Sequence, residues 1–387
     1  MQSGASVNHS TLIANRQVIF GRGTLAQLPD LLGNAPQPTL LFCNRSFISG
    51  PHWQRLAPAL SPLLVGHEVV SHEASPAELD EWVTRWRGKV ERVLAIGGGS
   101  VLDAAKAFAA LCQHPLPCAR YLEKIGDTRI TAATLPLIAV PTTAGTGSEA
   151  TQNAVVTDQQ QIQVKASLRH AEFVPQIALL DADLMQGTPE RILACCAIDA
   201  FTHLFESWLS KRGTLLTRQQ ALSGMQLFYH AWPHLNKPGE DGDVARETML
   251  MASWLGGQCL GVAGLGVIHG IAGELGAIKP WHHGEVCGRL LLPYLNLLAK
   301  QASPDQQALM NTLAATLFPL QTINPALLLV NWLKDNDVYR FWDDAPTLTE
   351  QDVEWILARS NSKNAMVDYS KEQQRTLIEA AWPVGQA

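Results

Sequence analysis

A carboxylate and an imidazole stand four residues apart in the middle of a strongly apolar segment. Asp199 and His203 lie in the run Ala197–Glu206, and most positions around them are apolar. Residues at i and i+4 share one face of an α-helix, and a helix that is apolar on all sides is buried. Burying Asp199 costs free energy unless a partner compensates its charge. A metal ion is one such partner, and a hydrogen-bonded core pair is the alternative.

The helix that carries this pair is predicted to begin at Thr188 and to end at Gly213. Thr188-Pro189-Glu190 is typical of an N-cap, a proline at the first helical position and an acid in the first turn. Lys211-Arg212-Gly213 is typical of a cationic last turn followed by a C′ glycine.

Further imidazoles follow downstream of this helix. His269 lies in the run Gly264–Gly270, and His282 and His283 are adjacent to each other. Asp199 and His203, with His269 and one of the two adjacent histidines, would supply one oxygen and three nitrogen ligands. Such donors suit Fe²⁺ or Zn²⁺ better than Ca²⁺ or Mg²⁺.

Two polar loops that contain glycine follow apolar strand candidates in the first half of the chain. Gly97–Ser100 follows the run 93–96 and precedes a predicted helix, and Thr142–Ser148 follows the run 135–140. Glycines let the backbone approach an anion, and the amides of a helix N-terminus favour a phosphate. The first loop matches neither the G-x-G-x-x-G fingerprint nor a Walker loop. Two such loops at the carboxyl edge of one sheet favour a dinucleotide site over two tight turns.

The elements that would position these groups change character along the chain. Strands are predicted over 16–23, 39–43, 61–70, 93–96, 135–140 and 177–180, and helices over 24–32, 76–88 and 101–111. Alternating strands and helices indicate a largely parallel α/β sheet. Helical patterns alone follow Thr188, where no strand is predicted. We therefore predict an α/β N-terminal dinucleotide-binding domain in residues 1–186 and an all-α C-terminal domain in residues 187–387.

Length and composition exclude several classes of protein. The 387 residues are 47% hydrophobic, carry a formal net charge of −6 and contain no basic block, so no nucleic-acid partner is predicted. Met1–Asn15 is polar and lacks the apolar stretch of a secretory signal, and no run approaches the ~20 apolar residues of a membrane span. Seven cysteines without a CxxC pair predict reduced thiols and a cytoplasmic location.

Together, these motifs resemble the iron-containing (group III) alcohol dehydrogenase family. The matching segments are Gly97–Lys106, Pro141–Glu149, Leu180–Leu184, Ile198–His203 and His283–Gly284. The resemblance implies a nicotinamide cofactor and Fe²⁺ or Zn²⁺, held between two domains. It implies the metal ligands Asp199, His203, His269 and His283. It implies cofactor contacts from Gly98, Gly99, Ser100, Asp103, Thr142, Thr143, Thr146, Ser148, Lys165 and Leu184.

The activity implied by this resemblance is that of an NAD(P)-linked alcohol dehydrogenase or aldehyde reductase for a small alcohol or aldehyde. The metal lowers the pKa of the alcohol, and the nicotinamide exchanges hydride with its carbon. A homodimer or larger homo-oligomer is expected. Two alternatives remain: a metal-independent enzyme similar to maleylacetate reductases, and a dinucleotide-binding protein without catalysis.

Two positions depart from the family pattern. Gly273 stands where family alcohol dehydrogenases usually carry a second histidine, a candidate for proton transfer, and maleylacetate reductases also have glycine there. Asp103, on the nicotinamide side of the cleft, and His282 are the remaining catalytic candidates. At the adenosine end, Asn44-Arg45 replaces an aspartate that NAD-preferring relatives often have. Since Asn44 does not repel a 2′-phosphate and Arg45 is cationic, we expect NADP(H) to be accepted.

Overall fold

The computed structural model describes residues 11–340, 342 and 345–385. Residues 1–10 lie outside the described residues. They make up most of Met1–Asn15, the segment in which no secretory signal is predicted. The strands are β1 Gln17–Phe20, β2 Thr39–Cys43, β3 Leu64–Val69, β4 Arg92–Gly97, β5 Leu137–Pro141, β6 Asn153–Asp158, β7 Val164–Arg169, β8 Ile177–Leu180, β9 Leu348–Thr349 and β10 Val384–Gly385. The helices are α1 Leu28–Gly33, α2 Arg45–Ile48, α3 Pro51–Leu60, α4 Pro76–Trp86, α5 Gly99–Leu111, α6 Glu190–Trp208, α7 Leu215–Ala231, α8 Gly239–Ala263, α9 Val267–Ile278, α10 His283–Gln301, α11 Pro304–Leu317, α12 Pro325–Asp335, α13 Glu350–Arg359 and α14 Lys371–Ala381.

Six strands form one parallel sheet in the order β1-β8-β5-β4-β2-β3. Gly97 at the end of β4 is opposite Pro141 of β5, and Cys43 at the end of β2 is opposite Ile96 of β4. The segments that follow β2, β4 and β5 therefore leave from one edge of the sheet, where ligands bind in folds of this kind. The predicted α/β N-terminal part is confirmed.

Successive side chains of a strand point to opposite faces of the sheet, and helices cover both faces here. In β4, Val93 and Ala95 pack with the buried residues of α5, and Leu94 and Ile96 pack in the cluster on the other face. All four side chains are completely buried. The carboxyl end of β4 and the start of α5 are thereby fixed where the first glycine loop lies.

One hairpin was not predicted from the sequence. Strands β6 and β7 pair antiparallel beside the main sheet, with Thr157 opposite Lys165. The hairpin packs against α5 and α9. Lys165, which is on β7, is therefore placed beside α9, a helix of the C-terminal half.

Helices dominate the chain after β8, and α6 packs at their centre against α7, α8 and α10. The predicted bounds of α6 were wrong by a few residues. Pro189 is the N-cap, and the helix ends at Trp208. It ends before Gly213 because Ser210 forms a β-bridge with Ala365 and donates its hydroxyl to the Ala263 carbonyl at 2.6 Å. The two-residue strands β9 and β10 also interrupt the predicted all-helical pattern.

No single helix in the part of the chain that the structure describes combines the length and apolar character of a membrane span. The sharply bent pair α8 and α9 meets that test only when both helices are taken together.

Candidate metal and dinucleotide site

The Asp199 carboxylate lies at the centre of a cluster of imidazoles. Its Oδ1 atom is 3.6 Å from Nε2 of His269 and 3.9 Å from Nε2 of both His203 and His283. Asp199 and His203 come from one face of α6, His269 from the first turn of α9 and His283 from the first residue of α10. The structure thus brings together all four predicted ligands, whose role as ligands stays a prediction.

These distances fit a shared cation better than a hydrogen-bonded core pair. Nitrogen–oxygen hydrogen bonds are about 2.7–3.2 Å long, and all three separations exceed that range. Two ligand atoms about 2.1 Å from one tetrahedral metal would instead lie about 3.4 Å apart. Asp199 is only 3% exposed, and Oδ1 has no hydrogen-bond partner among the described residues. A buried carboxylate oxygen without a partner is costly unless a cation compensates it.

Two of the imidazoles are neutral near pH 7, as metal binding requires. Burial lowers the pKa of His203 to about 4 and the pKa of His283 to about 3. Their ring nitrogens therefore offer a lone pair at neutral pH. The donor set fits Fe²⁺ or Zn²⁺. His269 differs in protonation: burial acts to lower its pKa, but Cys287, Asp199 and Glu206 raise it well above the usual value, so a bound metal would displace its proton.

Glu206, one turn beyond His203 on α6, holds the third imidazole. Its Oε2 lies 2.7 Å from Nδ1 of His269, and its Oε1 accepts from the backbone N–H of Ile268 at 2.7 Å. Burial acts to raise the pKa of Glu206, but the His269 side chain and backbone N–H groups hold it below its usual value. An ionised carboxylate on Nδ1 leaves Nε2 of His269 directed at Asp199. This is the carboxylate–histidine arrangement of many metal sites.

Cys287 completes the cluster, and the sequence analysis missed it. Its Sγ atom is 3.5 Å from Nε2 of His269 and 3.7 Å from Nε2 of His283. Ligand atoms of Asp199, His269, His283 and Cys287 all lie within 4.8 Å of one another. His203 falls outside this tighter set, although it stacks on His269 with ring centroids 4.6 Å apart. The i, i+4 spacing of His283 and Cys287 on α10 could have revealed the thiol.

A close helix contact sets the position of His283. A Cβ atom on Gly284 would lie 2.0 Å from the Cys195 carbonyl and 3.1 Å from Cβ of Asp199. Only glycine lets the start of α10 approach α6 this closely. His283 is thereby brought to the face of α6 that carries Asp199.

The two glycine loops contact each other at the carboxyl edge of the sheet. A Cβ atom on Gly98 would lie 3.2 Å from Thr143 Oγ1, and one on Gly99 would lie 2.6 Å from Thr146 Cγ2. Gly147 has a φ of +61°, and a Cβ there would lie 2.7 Å from the backbone of Gly257 in α8. The second loop is therefore pressed between the first loop and the helical half.

The second loop also adjoins the metal cluster. A Cβ atom on Gly145 would lie 3.0 Å from Cα of Cys196, which is one helical turn before Asp199. A dinucleotide that followed both loops would thus end close to Asp199. The second loop and the cluster are therefore neighbours.

Asp103 lies behind the loops as part of a buried polar network. Its Oδ1 accepts from the Ser148 hydroxyl at 2.5 Å and is 3.1 Å from Nζ of Lys106. Lys106 is completely buried and also donates to the Ser148 carbonyl and to Thr151 Oγ1, both at 2.9 Å. These contacts favour a positioning role for Asp103, which ties α5 to the second loop.

Lys165, on β7, forms an ion pair that the sequence analysis did not predict. Its Nζ is 2.6 Å from Oε1 of Glu73, and Thr157 donates to Oε2 of the same carboxylate at 2.5 Å. Burial acts to raise the pKa of Glu73, but Lys165 and Thr157 lower it to about 2. Both members of the pair interact electrostatically with His283.

The remaining predicted residues lie in different surroundings. Ser100 is half-buried in the first turn of α5, Thr142 is half-buried at the start of the second loop, and Leu184 is buried in the core beside β8. Asn44 is the N-cap of α2, and His282 is exposed as the N-cap of α10. Their roles stay predictions. Gly273, on α9, has open space around its Cβ direction, so a side chain would fit there.

Comparison with known proteins gives a family match in each half of the chain. The family model described as "Iron-containing alcohol dehydrogenase" matches residues 15–182, and "Fe-containing alcohol dehydrogenase family, C-terminal" matches residues 193–325. The chain is 40% identical over 201 residues to the probable alcohol dehydrogenase EutG of Escherichia coli (strain K12), an alignment that covers 52% of this chain and 49% of EutG. It is 30% identical over 278 residues to choline dehydrogenase of Bacillus subtilis (strain 168), covering 71% of this chain and 67% of that protein.

Among solved structures, sulfoacetaldehyde reductase from Bifidobacterium kashiwanohense, in complex with NAD⁺, has the same fold. The TM-score is 0.83 at 22% identity, with 98% of this chain and 100% of that chain covered. The chain spans about half the length of several curated relatives that it matches, as with EutG at 49%. The two family models together nevertheless cover both halves of the chain, and the chain belongs to the iron-containing alcohol dehydrogenase family.

Proposed function

We propose that the protein is a metal-dependent, NAD(P)-linked alcohol dehydrogenase that also works as an aldehyde reductase. The observation that carries this proposal is the unpartnered, buried Oδ1 of Asp199, with three imidazole Nε2 atoms 3.6–3.9 Å away. The cluster adjoins two loops with the features of a pyrophosphate site. Relatives act on different compounds by their names, including choline and sulfoacetaldehyde. The proposed substrate is therefore only a small alcohol or aldehyde.

Each group of residues has a distinct task in this proposal. Asp199, His203, His269 and His283 would hold Fe²⁺ or Zn²⁺. When bound, such an ion acts as a Lewis acid that makes an alcohol more acidic and polarises a carbonyl.

Gly98, Gly99 and Ser100 would bind the pyrophosphate of the dinucleotide through backbone amides. Thr142, Thr143, Thr146, Ser148 and Leu184 would fix the nicotinamide end from the second loop and the following turn. The bound cofactor supplies the hydride chemistry, and the chain supplies its orientation.

The Lys165–Glu73 pair would complete the wall of the cleft. Lys165 is held 2.6 Å from Glu73 with its side chain only 11% exposed. A cation so placed can orient the polar groups of the nicotinamide or substrate. Asp103 would act by positioning Ser148, which accounts for its burial beside Lys106.

Assays of aldehyde reduction with metal-free and reloaded protein test the proposed function. The purified chain is stripped with a chelator, reloaded with Fe²⁺ or Zn²⁺ and assayed against small aliphatic and polar aldehydes with NADH and with NADPH. We expect turnover only after reloading, and none for His269→Ala. Absence of turnover in every combination would contradict the proposal and favour a non-catalytic dinucleotide-binding protein.

Gly273 supports one alternative, a metal-independent reductase of the maleylacetate type. The position has open space around it, and no side chain from it reaches the cleft. This alternative predicts that stripped protein retains full turnover and that His269→Ala behaves like wild type. The same assays therefore separate the two enzymes.

We further propose that NADP(H) is accepted. Asn44 carries no charge, and its Oδ1 already accepts the Phe47 N–H at 2.9 Å. Arg45 follows it in α2, with an exposed side chain. Because neither residue repels a 2′-phosphate, turnover with NADPH should match or exceed turnover with NADH. Strict use of NADH would contradict this.

Three coarser expectations complete the proposal. The chain would work in the cytoplasm, because all seven cysteines are free thiols. It would form a homodimer or larger homo-oligomer, which light scattering on the purified protein tests. Its cofactor and metal would lie between residues 1–186 and 187–387, and limited proteolysis between Met185 and Glu190 tests that division.

A further inference from the structure

The loop that follows α13, residues 361–365, packs on the N-terminal end of α9. A Cβ atom on Gly270 would lie 1.8 Å from the carbonyl oxygen of Asn361, and one on Gly266 would lie 3.5 Å from Cβ of Ala365. The first of these approaches is possible only for glycine. The loop therefore lies beside the helix that carries one of the predicted metal ligands.

Lys363 lies in the middle of this loop, in a backbone conformation that few side chains adopt. Its φ is +45°, and its backbone N–H donates to Oδ1 of Asn361 at 2.8 Å. A left-handed conformation costs free energy for a residue other than glycine, and such residues cluster at functional sites. Lys363 is exposed, and its ammonium forms no ion pair or hydrogen bond in the part of the chain that the structure describes.

Groups from both halves of the chain surround the ammonium of Lys363. Desolvation lowers its pKa, Glu206 and Cys287 act to raise it, and the cations Lys124 and Arg169 lower it further. An exposed side chain that neighbouring protein desolvates lies in a concave part of the surface. Lys363 is therefore in a recess beside the metal cluster, within electrostatic reach of two residues that contact a predicted ligand.

Lys363 is the cation of this group whose charge is not compensated. Nζ of Lys124 is 2.5 Å from Oε1 of Glu274, and Nε of Arg169 is 2.8 Å from Oε1 of Glu123. Among the described residues, no carboxylate forms such a pair with Lys363. Three neighbouring cations thus have two paired carboxylates, and this excess of positive charge favours a bound anion.

We propose that this chain acts on a short aldehyde, or the corresponding alcohol, that carries an oxoanion at its other end, and that Lys363 binds this oxoanion. The reacting carbon would lie at the metal cluster. The carboxylate, sulfonate or phosphonate of the same molecule would supply the missing counter-charge, through a hydrogen bond stronger than one between neutral groups. The inference rests on the proposed function, because it names the substrate class of that same site.

Steady-state kinetics of the metal-loaded full chain tests this substrate class. The probes are 4-oxobutanoate, 2-oxoethanesulfonate and 2-oxoethylphosphonate, with butanal and pentanal as uncharged aldehydes of similar size. We expect kcat/KM for at least one anion to exceed that for both uncharged aldehydes at least about tenfold, and this preference to shrink as ionic strength rises. The preferred anion identifies the oxoanion. A wild type that reduces the uncharged aldehydes as well as every anion would overturn the inference and leave the proposed function intact.

Substitution of Lys363 tests the residue itself. The ratio of kcat/KM for the preferred anion to that for pentanal should fall at least about tenfold in Lys363→Met and should be largely kept in Lys363→Arg. Lys300→Met is the matched control, because Lys300 is exposed in the last turn of α10, about 25 Å along that helix from His283. Its ratio should equal that of wild type. A purely structural role of Lys363 would lower both rates alike, so an unchanged ratio in Lys363→Met would overturn the inference.

Calorimetric titration with butanoate, ethanesulfonate and ethylphosphonate gives a readout that needs no turnover. At least one of these anions should bind wild type and Lys300→Met, and should bind Lys363→Met at least about tenfold more weakly. Equal binding to the three proteins, or none, would overturn the inference. Absence of turnover with every aldehyde would overturn the proposed function, and binding that depends on Lys363 would then still support an anion site beside the cluster.

Discussion

Glu206 and His269 are joined by a contact of 2.7 Å between a carboxylate oxygen and Nδ1 of the ring. Glu206 lies on α6, the helix that also supplies Asp199, so one helix provides a predicted ligand and fixes the ring of another. With its Nδ1–H donated to Glu206, the imidazole can present only Nε2 to Asp199. This contact holds the His269 ring in a fixed orientation, so the cluster is preorganised rather than an accidental grouping of histidines.

The first prediction follows from that contact. Glu206→Gln retains an oxygen acceptor but loses the charge that strengthens the hydrogen bond and fixes the tautomer. We expect affinity for Zn²⁺ to fall about 10–100-fold, measured by competition with a chromophoric chelator. Glu274→Gln is the control, since Glu274 is paired with Lys124 and not with a predicted ligand. Equal affinities in wild type and both variants would contradict the role given to Glu206.

Lys106 provides the second prediction. Its side chain is completely buried, with an ion pair to Asp103 and hydrogen bonds to the second loop. Lys106→Met leaves the Asp103 carboxylate buried without its cation, so we expect the free energy of unfolding to fall by about 3–5 kcal/mol. Urea denaturation measures this.

Lys211→Met serves as the comparison for Lys106→Met, because Lys211 and Asp368 form an exposed pair at 3.8 Å. Its loss should cost less than about 1 kcal/mol. A similar effect of both variants would mean that the Lys106 network does not stabilise the loops.

The fold and the candidates Asp199, His203 and His269 could be derived from local patterns, whereas the choice of His283 over His282 came from the family resemblance. The apolar run around Asp199 and the i, i+4 spacing of His203 are properties of one helix, and strand runs that end in glycine loops are properties of single connections. Glu73 could not be found in this way, because its partner Lys165 lies on the hairpin, far away in sequence. The hairpin was missed although Val164–Arg169 alternates between apolar and polar residues, a pattern typical of a half-buried strand.

Cys287 was visible in the sequence but was not singled out, whereas Glu206 had two possible interpretations, an acceptor for a ligating imidazole and a structural salt bridge. Cys287 follows His283 by one helical turn, and Glu206 follows His203 by nearly one turn. Helical spacing places each on the face of a predicted ligand. It does not show which of several neighbours meets residues of another helix, which depends on the packing of α6 against α9 and α10.

The third prediction concerns pH. Glu149 is 1% exposed, and burial raises its pKa to about 7 from an ordinary value of 4.5. As pH rises, the unfolded chain therefore loses this proton first, and stability falls between pH 4.5 and about 7. Glu149→Gln removes this titration.

The free energy of unfolding of Glu149→Gln, relative to that of wild type, should rise by about 3 kcal/mol between acidic and alkaline pH. This figure follows from about 1.4 kcal/mol per unit of pKa. Denaturation across the pH range measures the gain. Glu81→Gln is the control, since that side chain is 66% exposed and its difference from wild type should stay nearly constant. A parallel pH dependence in wild type and Glu149→Gln would contradict the prediction.

The fourth prediction restores an imidazole at Gly273. Because a Cβ there meets no neighbour within 4 Å, Gly273→His should fold, and Gly273→Ala should be more stable than wild type by about 0.5–1 kcal/mol. The position is one helical turn after His269, on the same face of α9. General acid–base groups contribute about 10²–10⁴-fold to rates.

We therefore expect Gly273→His to raise kcat over Gly273→Ala and to add a histidine limb to its pH profile. Steady-state kinetics across the pH range measures both effects. Identical profiles for the two variants would mean that another group, such as His282 or water, already moves the proton.

The fifth prediction tests cofactor choice at Asn44. Asn44→Asp should not disturb α2, because aspartate accepts the Phe47 N–H as well as asparagine does at an N-cap. The substitution adds only a negative charge beside the site expected for the adenosine ribose. A carboxylate there repels a 2′-phosphate and can accept a ribose hydroxyl. The ratio of kcat/KM for NADPH to that for NADH should fall at least about tenfold, because repulsion of about 1.4 kcal/mol between the new carboxylate and the 2′-phosphate is enough for a tenfold change.

Asn324→Asp is the matched control for this change. Asn324 caps α12 by accepting the Ala326 N–H at 3.0 Å, so it undergoes the same change of charge at the same kind of position in the helical half. Its cofactor ratio should equal that of wild type. If neither Asn44→Asp nor Asn324→Asp changes the ratio, the adenosine ribose does not lie beside the end of β2. The dinucleotide would then follow the two glycine loops in another direction.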